Sequence, residues 1–475
     1  MLFPTATFAL FFALVLPLSW LLLPRPNVWR PFMIGASLVF YGWWNPRFVL
    51  LLVAVTVWNW IWGNLIHRAE TDSARKAALA VAVIGDLSAL GYFKYANFFL
   101  VSVDNTLLRL NLDVAMPVLE ITLPIGISFF TFQALSYVID IKRRIVEPVP
   151  FMEFAVYITF FPHLVAGPIV RAKEFLPQLK RRPDPRHVDL GLAFFLIIFG
   201  MFKKVVLSDL LSSRIVDPVF AAPKLHSSLE IWVATYAYAA QIYCDFSGYT
   251  DMAIGLALLL GIRFPQNFDG PYTATSVRDF WRRWHMTLSR FLRDYLYIPL
   301  GGNRHGRLAT YRNLMLTMLI GGLWHGASWT FVAWGGLHGG ALCFEHFREE
   351  RREAKGEPAT EPSQARVWIL RLIVFNFVCA GWIFFRSPTF STAWAMFEGL
   401  FNAWGRPSPL VTGSVLLAVV AGIGCQYIPR DLVVSARVWF GRLSPVAMGL
   451  SLGLAIVLID ALGPQGVRPF IYFAF

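Results

Sequence analysis

Long apolar runs separated by short polar or basic segments set the pattern of this sequence. Residues 2–23, 192–200, 414–425 and 448–463 each approach, or join into, the roughly 20 apolar residues that a helix needs to cross a bilayer. The pattern predicts an all-α polytopic integral membrane protein with about ten to twelve transmembrane or re-entrant helices. We expect residues 1–475 to form a single membrane-embedded domain.

Composition supports a membrane protein over several soluble domains, since 56% of the residues are hydrophobic and 16% are aromatic. The net charge of +13 comes from basic clusters between apolar runs, which are typical of cytoplasmic loops that contact anionic lipid headgroups. Membrane lipid is therefore the expected partner of this charge, and nucleic acid is not. The four cysteines show no C-x-x-C spacing, so neither a disulfide framework nor a zinc site is predicted.

Proline and glycine interrupt the apolar segment at 154–175, which contains Pro162, His163, Gly167 and Pro168. This pattern does not favour one straight spanning helix. It predicts a broken or re-entrant segment that is buried in protein. His163 has two interpretations, a catalytic one and a structural one. We favour a histidine that satisfies backbone groups freed at the break.

Two acids lie inside the apolar region at 229–261, namely Asp245 and Asp251. Ionisable groups at membrane depth need partners, and arginines from the stretch 278–340 are candidates. Two readings of the acids stay open: a structural ion pair between helices and a functional site.

The stretch from Arg278 to Gly340 carries most of the candidate chemistry. Helical spacing gives its first part a polar stripe, formed by Arg278, Arg282, His285, Ser289 and Arg293. The opposite stripe is apolar and contains Phe280, Trp284, Leu288, Phe291 and Tyr295. This pattern predicts one amphipathic helix at the membrane interface.

Two interpretations of this basic helix remain open. It is either an anchor whose arginines reach lipid headgroups, or a cationic mouth for a phosphate-bearing donor such as coenzyme A. For the second interpretation the candidate donor-binding residues are Arg278, Trp281, Arg282 and Arg283. The following GGNRHGR segment lacks the Gly-Lys-Ser/Thr of a nucleotide P-loop, so ATP is not predicted there.

His325 is the strongest catalytic candidate, because it lies in an apolar, glycine-rich segment with Asn313 as a supporting polar residue. A neutral imidazole can take a proton from a hydroxyl near neutral pH. His338 follows thirteen residues later, about 220° around an ideal helix, so no metal site is predicted for the pair. Overlapping G-x-x-x-G spacings at Gly335/Gly339 and Gly336/Gly340 indicate close helix packing.

Several long motifs resemble the membrane-bound O-acyltransferase family, and within it the alginate O-acetyltransferase type of bacterial envelope protein. They are GYFKYANFF, LPIGISFFTFQALSYVIDI, FFPHLVAGPIVR, YCDFSGYTDMAIGLALLLGIRFPQNFDGPY, FWRRWHMTLSRFLRDYLYIPLGGNR and GGLWHGASWTFVAWGGLHG. By this resemblance His325 matches the invariant histidine of the family and His285 its second histidine.

The resemblance also implies an activity and partners. An acetyl group would pass from a cytoplasmic donor, acetyl-CoA, through the bacterial inner membrane to an extracytoplasmic polysaccharide, with no permanently bound cofactor. A separate SGNH-type enzyme would complete the transfer, because the polar loops of this chain are too short to fold as such a domain. The polymer is left open among alginate, cellulose, peptidoglycan and others.

The ending FIYFAF, residues 470–475, resembles a terminal Phe-Ile-Tyr-Phe-Gln-Phe motif of such export systems. The resemblance makes Tyr472 a candidate acyl relay, and an interfacial aromatic anchor is the equally weighted alternative. Ala474 stands where the motif has glutamine, which puts a role for that amide in doubt.

Two further function classes compete with the acyltransferase. One is a proton-coupled transporter in which Asp245, Asp251, His285 and His325 form a relay. The other is an assembly subunit without chemistry. Inverted repeats would favour a transporter, and the sequence shows no internal repeat of useful strength.

Overall fold

The computed structural model describes residues 1–112, 117, 119–181, 183–356, 362–464, 466 and 468–471. Across these residues the regular structure is entirely helical, with no strand, which confirms the all-α prediction. Tyr472 lies outside the described residues.

The α-helices are joined mostly by short connections, with longer ones at 110–126 and 260–276. In chain order they are α1 (Ala6–Leu22), α2 (Pro26–Gly42), α3 (Arg47–Arg68), α4 (Asp72–Leu90), α5 (Ala96–Arg109), α6 (Ile127–Lys142), α7 (Phe151–Thr159), α8 (Phe161–Leu164), α9 (Ala172–Lys180), α10 (Leu190–Met201), α11 (Asp209–Leu211), α12 (Asp217–Ala221), α13 (Ser228–Leu259), α14 (Val277–Arg283), α15 (Met286–Leu292), α16 (Arg307–His325), α17 (Trp329–Ala354), α18 (Gln364–Arg386), α19 (Phe390–Asn402), α20 (Gly413–Gly424), α21 (Arg430–Gly441) and α22 (Pro445–Leu462). Turns of π-helix occupy Gly91–Tyr95, Phe202–Ser208, Ser212–Val216 and Arg293–Tyr297.

Within the described residues, five helical segments are long and apolar enough to cross a bilayer. They are Arg47–Arg68, Asp72–Arg109, Leu190–Ala221, Gln364–Arg386 and Pro445–Leu462. A sixth span results if Gly413–Tyr427 and Arg430–Gly441, which meet at 94°, are taken together. These segments agree with a multi-pass membrane protein, and the total of ten to twelve helices stays a prediction.

The chain divides into two compact units, residues 1–189 with 256–265 and residues 190–255 with 266–475. A single domain over the whole chain therefore stays a prediction. The first unit contains the predicted break, because α7 ends at Thr159 and only the short α8 follows before Ala172. There the buried His163 Nε2 hydrogen-bonds the Tyr157 carbonyl oxygen at 2.8 Å, as the structural interpretation of this histidine predicts.

Glycines allow the backbones of neighbouring helices in the second unit to come into direct contact. A Cβ added to Gly200 of α10 would lie 2.6 Å from the Gly248 carbonyl oxygen of α13. At α16 and α17, a Cβ on Gly335 would collide with the Met318 carbonyl oxygen, and one on Gly339 would lie 2.9 Å from Met315 Sδ. The predicted close packing is therefore confirmed for one glycine pair. The other pair is not closely packed, since a Cβ on Gly336 would lie 3.6 Å from the Leu319 side chain and one on Gly340 would meet open space.

Candidate functional site

The amphipathic stretch from Arg278 to Tyr295 is not one helix. The helix α14 ends at Arg283, His285 adopts the left-handed conformation (φ 42°, ψ 54°), and α15 begins at Met286. The prediction of a continuous helix is therefore wrong. Its apolar stripe is nevertheless buried at Phe280, Trp284, Leu288 and Phe291.

The buried side chain of Asn267 stabilises this break. Its Oδ1 accepts hydrogen bonds from the backbone N–H (3.1 Å) and the hydroxyl (2.9 Å) of Thr287, in the first turn of α15. The same oxygen lies 3.2 Å from Nδ1 of His285. An amide side chain that binds the start of a helix satisfies its free N–H groups, so a new helix can begin after the break.

The break places the His285 ring in the protein interior instead of along an exposed polar stripe. The ring is fully buried and packs edge-on against Phe246, with ring centroids 4.6 Å apart. Because the Asn267 oxygen accepts from Nδ1, the neutral ring presents Nε2 as an acceptor. Among the described residues Nε2 has no hydrogen-bond partner.

His325 is the last residue of α16 and is 2% exposed. Its ring centroid lies 5.1 Å from that of Trp334 and 5.2 Å from that of Phe385. Trp324 contacts both predicted catalytic histidines, at 5.0 Å from His325 and 6.1 Å from His285. The structure thus brings the two histidines to one tryptophan, although 40 positions separate them in the sequence.

We call His285, His325 and His338, together with Trp324 and Trp334 that contact them, the histidine layer. An arginine-lined cavity of about 550 Å³ lies beside this layer. Its lining includes Arg278, Trp281, Arg282, Arg293, Tyr297, Asn303, His346 and Glu349. Three of the four predicted donor-binding residues therefore meet in one cavity. Arg283 does not join them, because its Nε pairs with Asp279 at 2.9 Å and its Nη1 donates to the Asp269 carbonyl at 3.3 Å.

Trp281 connects this arginine cavity to the histidine layer. Its indole Nε1 donates to Nδ1 of His338 at 3.3 Å, and its ring centroid lies 5.6 Å from that of Trp334. At the cavity rim Arg278 pairs with Glu349 at 2.6 Å, and this hydrogen bond lowers the pKa of the Glu349 carboxyl. The Glu349 carboxylate therefore offsets part of the positive charge of the cavity.

A second cavity, of about 530 Å³, contains the end of the described chain. Its charged lining is Lys204, Asp209, Asp217, Asp245, Arg386 and Arg468, three bases and three acids whose formal charges cancel. Phe385 belongs to the same lining and contacts His325. We call this space the tail cavity, because Arg468, Pro469, Phe470 and Ile471 also line it.

The two buried acids of α13 have partners other than those predicted. Asp245 pairs with Lys204 at 2.7 Å and Asp251 pairs with Lys203 at 2.6 Å. The candidate partners from the sequence, arginines of the stretch 278–340, are therefore wrong for these two acids. Both lysines lie in the π-helical turn Phe202–Ser208, which directly follows the Gly200 contact with α13 and so reaches that helix.

The same charged groups hold the end of the chain. The Ile471 N–H donates to Asp245 Oδ2 at 2.7 Å, and the Arg468 N–H donates to Asp209 Oδ2 at 3.3 Å. Phe470 is 1% exposed and packs on Tyr249, with ring centroids 5.0 Å apart. These contacts fix the segment that immediately precedes Tyr472.

Asn313 lies apart from His325. It is twelve residues earlier on α16, which corresponds to about 18 Å along an ideal helix. Its buried side chain donates to the Gly302 carbonyl oxygen at 2.9 Å. Asn313 thus ties the glycine-rich loop to the start of α16 and does not support the histidine layer by direct contact.

The sequence interpretation missed the site residues Asn267, Lys203, Lys204 and His338. The lysines carried a signal, because two consecutive cations at the end of an apolar run could pair with the two acids of the next apolar run. Asn267 carried none, since its role depends on a break that the helical spacing hides.

Comparison with known proteins shows the family of this chain. The profile of the membrane-bound O-acyltransferase family matches residues 19–387. The chain belongs to this family. It is a multi-pass membrane O-acyltransferase, which is the enzyme class that the sequence predicted.

The relatives include two proteins named for O-acetylation and one named for D-alanyl transfer. A peptidoglycan O-acetyltransferase of Helicobacter pylori is 39% identical over 80% of this chain and 74% of its own length. A probable alginate O-acetylase AlgI of Pseudomonas aeruginosa is 42% identical over 78% of this chain and 69% of its own. A teichoic acid D-alanyltransferase of Bacillus subtilis is 26% identical over 56% of this chain and 69% of its own.

Proposed function

We propose that this protein transfers acetyl groups from acetyl-CoA through the bacterial inner membrane for O-acetylation of an extracytoplasmic polysaccharide. One observation carries the proposal: a continuous series of contacts joins the two cavities through His325. Trp281 lines the arginine cavity and contacts Trp334, Trp334 contacts His325, and His325 contacts Phe385 of the tail cavity. His325 is thus one contact away from the lining of the tail cavity, through Phe385, and two contacts away from the arginine cavity, through Trp334 and Trp281.

The arginine cavity suits a phosphorylated donor. Arg278, Arg282 and Arg293 contribute three guanidinium groups against the carboxylate of Glu349, and guanidinium groups bind phosphate in a bidentate manner. Arginine-rich membrane boundaries are typical of the cytoplasmic face, where acetyl-CoA is available. In this arrangement the phosphates stay at the arginines and the thioester reaches toward Trp281 and the histidine layer.

His325 then acts as the general base. It takes the proton of the acceptor hydroxyl while the hydroxyl oxygen attacks the thioester carbonyl carbon, so that a C–O bond forms and the C–S bond breaks. The proton passes to the departing sulfur, which leaves as the thiol of coenzyme A. His285, held by Asn267 and in contact with Trp324, assists from the other side of that tryptophan.

We propose Tyr472 as the first acceptor. The residues before it are anchored in the tail cavity, whose lining includes Phe385, a contact of His325. A phenol has a pKa near 10, so it needs a base to attack a thioester at neutral pH. His325 is the base assigned to it, and an interfacial aromatic anchor is the competing role for the tyrosine.

A partner enzyme completes the proposal. An SGNH-type acetyltransferase outside the membrane would take the acetyl group from the carrier and place it on the polysaccharide. Two relatives are named for alginate and for peptidoglycan, which supports an acidic or amino-sugar polymer as the class of acceptor.

Deleting the gene in its host tests the proposal at the level of the cell. We expect ester-linked acetate to disappear from one envelope or secreted polysaccharide, while the polymer itself is still made. Restoring the wild-type gene should restore the acetate. An unchanged acetate content in every polysaccharide of the deletion strain would contradict the proposed function.

A further inference from the structure

A third cavity lies between the start of α14, the end of α17 and the start of α18, and Arg278 and Glu349 line both this cavity and the arginine cavity. The third cavity has a volume of about 1190 Å³ and its walls combine basic and apolar side chains. The basic ones, apart from Arg278, are Arg348, Arg351, Arg352, Lys355 and Arg366. The apolar ones include Phe344, Phe347, Leu370, Ile373 and Phe377. We call this cavity the α17–α18 groove.

The order of these side chains is the same on both helices. On α17 the groove residues advance from Phe344 and Phe347 to Arg351 and Lys355 at helical spacing, so they share one face. On α18 the series starts at Arg366 and becomes apolar toward Phe377. The groove is therefore basic at the end near the α17–α18 connection and apolar farther along.

The acids of the groove are already engaged by protein groups. Glu345 accepts from the backbone N–H of Val277 at 2.6 Å and of Arg278 at 3.0 Å, and Glu349 pairs with the Arg278 guanidinium at 2.6 Å. In the described part of the chain, Arg351 and Arg352 form no ion pair with any acid. The basic end thus has an excess of positive charge for an external anion.

The apolar end is open as well. Phe344 is 59% exposed and Ile373 is 60% exposed, and α18 belongs to the segments that can cross a bilayer. Arg348 lies over the Phe344 ring at 5.9 Å, at the transition from apolar to basic lining. An occupant of this groove needs an anionic head and a hydrocarbon tail in the same molecule.

We propose that the α17–α18 groove binds an anionic phospholipid, with its phosphate at Arg351 and Arg352 and an acyl chain along Phe347 and Ile373. Basic pockets between transmembrane helices bind lipid headgroups in this way, and each nearby cation contributes about fivefold to the affinity. The phosphate position at Arg351 and Arg352 includes no histidine of the proposed reaction, although Arg278 and Glu349 line both this groove and the arginine cavity.

Native mass spectrometry of the full-length protein in detergent tests the proposal. Phosphatidylglycerol and phosphatidylcholine with identical acyl chains are added in turn, and the retained lipid is counted. The wild type should prefer phosphatidylglycerol, and Arg351→Gln with Arg352→Gln should reduce that preference at least about tenfold. The control, Arg68→Gln with Arg109→Gln, removes the same charge at two exposed helix ends outside the groove and should behave as wild type.

A second double variant distinguishes lipid binding in the groove from general attraction of anionic lipid to a basic surface. Phe347→Gln with Ile373→Gln keeps every cation but removes the apolar contacts, and should lower phosphatidylglycerol retention at least about fivefold. Equal retention by the arginine variant and the wild type would overturn the proposal. The proposal would also be overturned if the arginine variant lost lipid but the Phe347→Gln with Ile373→Gln variant did not. If the arginine variant lost coenzyme A binding and kept its lipid, the groove would be assigned to nucleotide phosphates instead.

Discussion

At the scale of single residues, the structure separates two neighbouring arginines that the sequence treats alike. Arg282 is exposed and lines the arginine cavity, whereas Arg283 is engaged with Asp279 and the Asp269 carbonyl. We expect Arg282→Ala to weaken coenzyme A binding about tenfold, and less so at high salt because ions screen the interaction. Titration calorimetry at two salt concentrations measures both effects.

Arg283→Ala is the matched control for this prediction. It removes the same charge from the next position of α14, but from a side chain that binds protein groups. The control should lower thermal stability and leave the affinity within about twofold of wild type. If both variants lost the same coenzyme A affinity, the arginines would have only a general electrostatic or membrane-anchoring role.

Tyr472→Phe tests the acyl relay, since it keeps the ring and deletes only the hydroxyl. A carrier role predicts that acetate on the polysaccharide falls to the level of the deletion strain, because no other nucleophile lies in the last six residues. An anchor role predicts nearly full acetylation, and that result would remove Tyr472 from the pathway. Acetate content of purified polysaccharide is the measurement.

At the scale of elements, the position of the C-terminal segment depends on one of the two lysine–aspartate ion pairs of α13. Asp245 binds both Lys204 and the Ile471 N–H, whereas Asp251 binds Lys203. Asp245→Asn should therefore loosen the C-terminal segment and reduce acetylation at least about tenfold. Protection of the Ile471 amide against hydrogen exchange reports the loosening directly.

Asp251→Asn controls for the general cost of breaking a buried ion pair, which is about 3–5 kcal/mol when one partner is removed. Lys204 keeps Asp209 as a partner at 2.8 Å, so Asp245→Asn should lose no more thermal stability than Asp251→Asn, which leaves Lys203 without a carboxylate among the described residues. Only Asp245→Asn should expose the C-terminal segment. If Asp251→Asn has the same effect on that segment and on acetylation, the Asp245 contact has no specific role in holding it.

The packing of α16 on α17 places His325, and it depends on glycines with different surroundings. Gly335→Ala puts a methyl group against the Met318 carbonyl oxygen, while Gly336→Ala places it 3.6 Å from a flexible Leu319 side chain. The first change should cost about 1–3 kcal/mol of stability and lower the reaction rate, and the second should do neither. Thermal denaturation in detergent and acetylation assays measure these effects, and identical behaviour of the two variants would contradict the packing argument.

At the scale of the whole molecule, the helical class was predictable because apolar runs of bilayer length have few alternatives in lipid. The broken segment around His163 was also predictable, since proline and glycine mark it. The break at His285 was not. Helical spacing continues through Trp284 and His285, and the interruption depends on Asn267, a residue from another part of the chain.

The candidate site, too, could be predicted from the sequence only where a single local segment carries the signal. His325 was found from local sequence, because a histidine in an apolar segment is unusual. Its position between two cavities depends on Trp281, Trp334 and Phe385, which come from three separate helices. Partners such as Lys204 for Asp245 likewise require the helices to be packed before they can be identified.

In the proposed function, His325 is the general base for acetyl transfer from acetyl-CoA to Tyr472. The most direct measurement incubates purified full-length protein with acetyl-CoA that carries an isotope label in the acetyl group, and locates the label by peptide mass spectrometry. Wild-type protein should release coenzyme A and carry label on the peptide that contains Tyr472. His325→Ala, folded and inserted as wild type, should lose labelling at least about a hundredfold, as expected for a general base. Labelling of His325→Ala at the wild-type rate would contradict the account.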